Sequence, residues 1–199
     1  ASISEIHDKH HRIIATEGIE TLGGDQFDEI MAKMILEKQP ENFQLDSDDE
    51  VRLNEICKLK KETITPYSKN ILLEWAPQND TPKIYKLSVK DYYLRCEPLV
   101  DETINILENL LVRVSVQDNI NDFMVYLVGG MANFPLINRK LKTIFGKNMV
   151  RKSKYGAFSV SMGLAAMMDH KYDYILKESL TRYFGLWREE AAGEELVFD

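Results

Sequence analysis

Polar and apolar residues alternate over 2–6, and a β-branched stretch covers 12–16, with His7, Asp8 and Lys9 between them. Alternation with a period of two marks a strand with one covered face, so these runs predict a β-hairpin. After Thr21-Leu22-Gly23-Gly24-Asp25 the period changes. Phe27, Ile30, Met31, Met34 and Ile35 recur at helical spacing, and Asp25, Asp28 and Glu29 suit the positive end of a helix. Pro40 is expected to close this helix. Asp46-Ser47-Asp48-Asp49 offers a cap for a second one, on which Val51, Ile56, Leu59 and Ile64 make a partial apolar stripe before Pro66. Two strand-like runs, 70–75 and 83–89, flank the proline-bounded segment 77–82 and predict a second hairpin.

From 90 to about 114 the pattern is helical again, and Pro98 marks either a kink or a boundary between two helices. Residues 123–128 form a short continuous apolar run, the pattern of a strand buried on both faces, and it ends in Gly129-Gly130. A helix is expected over 135–144, with Pro135 in its first turn. Another is expected over 156–168, where Ser159, Ser161, Gly163, Ala165 and Ala166 are small enough to let it lie close to a sheet. The segment 171–199 is amphipathic and aromatic, with Tyr172, Tyr174, Ile175, Leu176, Tyr183, Phe184, Leu186 and Trp187. Ordinary packing is the favoured account of it, ahead of the start of a partner domain. Strand-like patterns at residue 1 and at 195–197 make both ends read as cuts within a longer chain.

Composition narrows the classes. The 199 residues are 44% hydrophobic and 29% charged, with 10 Gly and 6 Pro, which is a globular balance and about one domain in length. A formal net charge of −7 disfavours nucleic acid as a general partner. No apolar run approaches the roughly 20 residues of a membrane span. Cys57 and Cys96, two isolated thiols, suggest a reducing, cytoplasmic setting.

Most candidate chemistry falls away on spacing. His7, His10 and His11 cluster near the first hairpin turn, but residues 10 and 11 of a strand face opposite sides, so solvated histidines are a better account than a metal. Asp46 to Glu50 lacks calcium-loop spacing and reads as a helix cap. Neither cysteine has a histidine nearby in sequence to build a nucleophile pair, and no G-x-S-x-G or Walker A pattern occurs. What stays is Val125-Tyr126-Leu127-Val128-Gly129-Gly130, a strand running into a glycine turn with a helix beyond. Such a turn either cradles a nucleotide on its backbone or is a plain tight connection.

Its setting is specific. Val125-Tyr126-Leu127-Val128-Gly129-Gly130-Met131-Ala132-Asn133-Phe134-Pro135 resembles the adenosine motif of the heat-shock-70 (DnaK-type) chaperone ATPases, a strand followed by V-G-G-S-T-R-I-P. Thr21-Leu22-Gly23-Gly24-Asp25-Gln26-Phe27-Asp28 resembles the family's H-L-G-G-E-D-F-D, with the hairpin before it matching through Ala15-Thr16-Glu17-Gly18. Ser159-Val160-Ser161-Met162-Gly163-Leu164-Ala165-Ala166 resembles A-V-A-x-G-A-A, and Tyr92 to Thr103 looks like the F-E-x-L…P-L helix. Order and spacing agree over roughly 1–170.

The resemblance implies an α/β fold: the second lobe of an actin-like ATPase. An RNase-H-like subdomain (IIA, 1–22 and 96–170) would carry an inserted α+β subdomain of helices plus a hairpin (IIB, 23–95), and 171–199 would extend toward a linker or next domain. It implies an adenine site between the two subdomains. Carried over by position, the IIA wall is Gly129, Gly130, Met131, Asn133 and Phe134, and the IIB wall is Lys58, Lys61, Glu62 and Thr65. Only Lys61 and Thr65 keep the family's chemistry in the second wall. Lys58 stands where the family has Glu, Glu62 where it often has Arg, and Asn133 replaces the other Arg that stacks on the purine. A carboxylate cannot stack on a base as a guanidinium does, so the clamp is altered, with Phe134 as a source of apolar contact. Lys58 and Glu62 are also spaced as an ordinary i,i+4 ion pair.

Implied cofactors are ATP and ADP, with Mg held mainly by the other lobe. Implied partners are lobe I of the same protein, a peptide-binding domain, client polypeptides and co-chaperones. The family's phosphate loops, D-x-G-T-T and D-x-G-G-G-T, do not occur in this sequence, and the second is expected just before Ala1. Phosphoryl transfer depends on the charges such loops arrange, so the chain alone is expected to be inactive. Two other function classes stand beside this one: a filament-forming actin relative, and a degenerate binding module that no longer uses nucleotide.

Overall fold

The computed structural model describes residues 1–77, 80–118, 123–169, 171–177, 187–189 and 196–198. The expected first hairpin forms from β1 (Ser2–His7) and β2 (His10–Thr16), paired antiparallel so that His7 faces His10 and Ser2 faces Thr16. Asp8 turns the chain at a φ of 53°, a left-handed conformation that aspartate adopts more readily than most residues.

Helix α1 (Gly24–Leu36) starts on half of a capping box: the Gln26 side chain accepts a 2.6 Å hydrogen bond from the Gly23 backbone N–H, and glycine has no side chain to return it. It ends before Pro40 and buries Phe27, Asp28, Met31, Ala32, Met34 and Ile35. Helix α2 (Ser47–Glu62) is capped as expected, with Asp46 Oδ1 accepting from the Asp49 N–H at 2.7 Å. Its inner face follows the expected stripe only in part: Ile56 packs half-buried against the core and Ile64 is buried just past the helix end. Val51 and Leu59 are exposed, whereas Asp49, Leu53, Cys57 and Lys61, spaced by four, are buried. The reason is a buried ion pair, described below, that draws the lysine row inward.

Strands β3 (Asn70–Trp75) and β4 (Lys83–Ser88) make the second hairpin, whose inward row of Ile71, Leu73 and Trp75 pairs with Leu87, Tyr85 and Lys83. Helix α3 (Val89–Asp118) then runs unbroken for 30 residues with Pro98 inside it, so the chain does not form two helices there. Proline removes one backbone hydrogen bond, and burial of Tyr92, Cys96, Val100 and Ile104 along the same helix holds it together.

Strand β5 (Val125–Leu127) pairs in parallel with β6 (Val150–Lys152), and α4 (Pro135–Phe145) connects them. The expectation of a strand buried on both faces does not hold. Val125 and Leu127 are half-buried and Tyr126 is 59% exposed, because this sheet has two strands and one covered face. Helix α5 (Ser159–Met168) has the predicted position after a 3-10 turn at Gly156–Phe158, but none of its residues is buried, so its small side chains are not used for close packing on a sheet. Strand β7 (Ile175–Lys177) joins β2 in parallel, giving the order β1-β2-β7, and Tyr174 stands edge-on to His11 at 5.5 Å. Strands β8 (Trp187–Glu189) and β9 (Leu196–Phe198) pair antiparallel. The tail's Tyr183, Phe184 and Leu186 lie outside the described residues.

One core links α1, α2, the β3–β4 hairpin and α3, and reaches α4 through Phe134, Leu136 and Leu141. Cys57 and Cys96 are free thiols inside it, with burial pushing each up to about 12, far from the reactive thiolate range.

Candidate functional site

The glycine turn is set by backbone geometry that only glycine adopts easily. Gly129 has φ 86° and ψ 174°, where any Cβ would clash with its own backbone. Its N–H donates to the carbonyl of Gly156 at 3.1 Å, and the residues after it wind into a 3-10 turn, Gly130–Asn133. Neither Gly129 nor Gly130 has an atom within 4 Å of the place a Cβ would occupy, so the outer side of the turn is open.

Phe134, at the end of that turn, points the other way. It is 4% exposed and packs edge-on against Phe27, Tyr92 and Tyr93, with ring centroids 5.3, 6.0 and 5.4 Å away. Its apolar surface is spent on α1 and α3. Tyr92 is fully buried and donates its hydroxyl to the Phe27 carbonyl at 3.0 Å, fastening α3 to the first turn of α1. Asn133 is exposed and accepts from Lys152 Nζ at 3.2 Å.

On the other wall, Lys61 is 7% exposed and fully engaged with α1. Its ammonium donates to the Gly24 carbonyl at 2.7 Å and to Asp28 Oδ2 at 2.9 Å. Asp28 Oδ1 lies 2.8 Å from the same nitrogen, close enough for charge attraction though not aligned as a hydrogen bond. Burial raises the Asp28 carboxyl above its ordinary range, opposed chiefly by the Lys61 hydrogen bond and charge and more weakly by Lys58. Lys58, Glu62 and Thr65 are exposed. The anticipated Lys58–Glu62 ion pair is not among those formed by the described residues. The Thr65 hydroxyl sits 3.1 Å from Ser68 Oγ in the turn that leaves α2.

The two walls meet at one point. A Cβ on Gly24 would stand 3.2 Å from Lys61 Nζ and 3.8 Å from Met131 Sδ, so α2 and the glycine turn flank the bare first residue of α1. Gly24 and Asp28 were not among the residues the sequence singled out for the site. The signal for Asp28 was present: a charge at a position in register with Met31 and Ile35 lies on the apolar face of its helix. A separate groove of ≈ 430 Å³ lies on a different face of α2, between Arg52 and Ile56 on one side and Trp75 and Pro82 on the other, away from these residues.

Comparison with known proteins identifies the family of the chain. Residues 1–167 match the family described as Hsp70 protein. The chaperone protein HscA homolog of Rickettsia typhi is 33% identical over 149 residues, 75% of this chain and 22% of that protein. The HscA homolog of Rickettsia akari is 31% identical over 144 residues, and chaperone protein HscA of Buchnera aphidicola is 26% identical over 145; each alignment covers 72% of this chain, with 21% and 27% of the relative. The chain therefore spans about a quarter or less of the length of these relatives. On a match that runs through the first hairpin, the glycine turn and α5, the chain belongs to the Hsp70 family, whose actin-like ATPase fold is consistent with the mixed α/β elements described here.

Proposed function

We propose that this chain is the adenine-side lobe of an ATP-binding, ATP-hydrolysing chaperone of the heat-shock-70 type. In this reading 1–22 and 96–170 form subdomain IIA, 23–95 form the inserted IIB, and 171–199 lead toward the next domain. The observation that carries it is the meeting of α2 and the glycine turn at Gly24. An adenine nucleotide fits what is present: the turn is open at Gly129 and Gly130, and Lys58, Glu62, Thr65 and Asn133 present polar groups to solvent on the two walls. Those residues and Met131 would hold the base and sugar, while Lys61 and Phe134 support the walls from inside. When bound, ATP supplies a phosphoanhydride bond whose cleavage lets closed lobes relax. The chain's own part is to position the nucleoside and to transmit closure to lobe I and an attached peptide-binding domain, and so to clients and co-chaperones in the cytoplasm.

Catalysis belongs to the other lobe in this account, because phosphoryl transfer needs a phosphate cradle and a metal that this sequence does not provide. The chain assayed alone is expected to release no phosphate from Mg-ATP above buffer, whereas the full-length protein turns over. Turnover by the chain at the full-length rate would overturn the lobe assignment. A second reading, a binding module that has lost nucleotide, is favoured by Glu62 and Asn133 standing where the family stacks arginines. Titration of the full-length protein with ATP separates the two, since saturable binding excludes the degenerate module.

A further inference from the structure

We propose that Asp28 is a positioning residue of the adenine site, acting through Lys61, which it holds against the backbone of Gly24 so that α2 stays beside the glycine turn. This inference rests on the adenine-site reading above and adds to it a residue that never touches the ligand.

A lysine ammonium has three N–H donors on a flexible stem with up to about 2 kcal/mol of rotamer entropy. Here two donors are committed, one to Asp28 Oδ2 at 2.9 Å and one to the Gly24 carbonyl at 2.7 Å. Asp28 is 3% exposed and Lys61 7%, so both charges are shielded from bulk water, and among the described residues neither forms another ion pair. The other charged groups acting on Asp28 are Asp25 on α1 and Lys58 on α2, both weaker influences than Lys61. Around the pair, Cys57, Cys96 and Tyr92 are neutral, as burial raises all three. Gly24 completes the latch. Without a side chain there, the ammonium reaches the carbonyl directly and Met131 of the glycine turn lies alongside. One buried contact thus joins the start of α1, the end of α2 and the turn, which are the parts that must hold a fixed spacing for two walls to grip one base. Removing the carboxylate takes away no ligand contact. It frees Lys61.

The test uses the full-length protein with Asp28→Asn, Lys61→Met and the double variant, reading ADP affinity by calorimetry and the thermal midpoint of each. Asp28→Asn and Lys61→Met are each expected to weaken ADP binding about tenfold, and the double variant to bind no more weakly than Lys61→Met alone. The midpoint should behave differently. It falls in Lys61→Met, which leaves a carboxylate buried without a partner, and recovers in the double variant, while ADP affinity stays low. Should Lys61→Met not fold, the double variant set against Asp28→Asn gives the same comparison without an unpaired buried charge. Affinity that recovers together with the midpoint, or losses that add, would assign Asp28 a purely structural role and overturn the inference, as would unchanged binding by Asp28→Asn. Wild-type protein that binds no ADP would instead bring down the adenine-site reading itself.

Discussion

Lys61→Met is expected to cost about 3–5 kcal/mol of folding stability at pH 7, the penalty for leaving one charge of a buried pair alone. Methionine keeps the length and most of the apolar stem, so the loss is electrostatic rather than a cavity. The predicted signature is its dependence on pH. Asp28 already has a folded-state pKa above its unfolded value, because burial outweighs the attraction of Lys61. A raised carboxyl binds its proton more tightly folded than unfolded, so its contribution is fully present below the unfolded value near 3.8 and is lost as pH rises through the folded value. Without Lys61 the folded value rises further, and a neutral Asp28 tolerates burial. The variant's deficit relative to wild type should therefore shrink as pH falls from 7 to 5. Denaturant unfolding at the two pH values measures this, and a variant unfolded at pH 7 but folded at pH 5 is the extreme form of the same result. An equal deficit at both would contradict the assignment of the pair as buried and coupled.

Phe134→Ala is expected to cost a similar amount, about 3–5 kcal/mol, for a different reason. The ring is 4% exposed and meets Phe27, Tyr92 and Tyr93 edge-on, so truncation removes burial and opens a cavity between α1, α3 and the start of α4. Phe134→Leu should lose clearly less, since it refills much of the volume. The check is a lowered denaturation midpoint with an unchanged dependence on denaturant. A loss below about 1 kcal/mol for the alanine variant would mean that Phe134 is free to face a ligand, as its place in the motif first suggested.

The contrast between those two residues shows what the sequence made legible. Both hairpins, the Asp46 cap and the helix starting at Pro135 follow from local rules, and local rules are written in neighbouring residues. Phe134 sits in a motif whose register assigns it to the ligand side, yet the direction of its side chain depends on α1 and α3, which are distant in sequence. Helix α2 shows the same limit. Its buried row contains Asp49 and Lys61, so a stripe drawn through Val51, Ile56, Leu59 and Ile64 finds the core side at Ile56 and Ile64 and misses it at Val51 and Leu59. A charge enters a core only where a partner waits, and Asp28 lies 33 residues away. The composition of strand β5 is that of a doubly buried strand, but how many neighbours a strand acquires is set by the whole sheet.

The adenine site itself is tested most directly by photolabelling the full-length protein with an azido-adenine analogue of ATP and mapping the modified peptides. The account predicts labels within 58–65 and 129–133, both suppressed by unlabelled ATP or ADP. Labelling confined to the groove beside Arg52 and Trp75, or labelling that neither nucleotide suppresses, would contradict it.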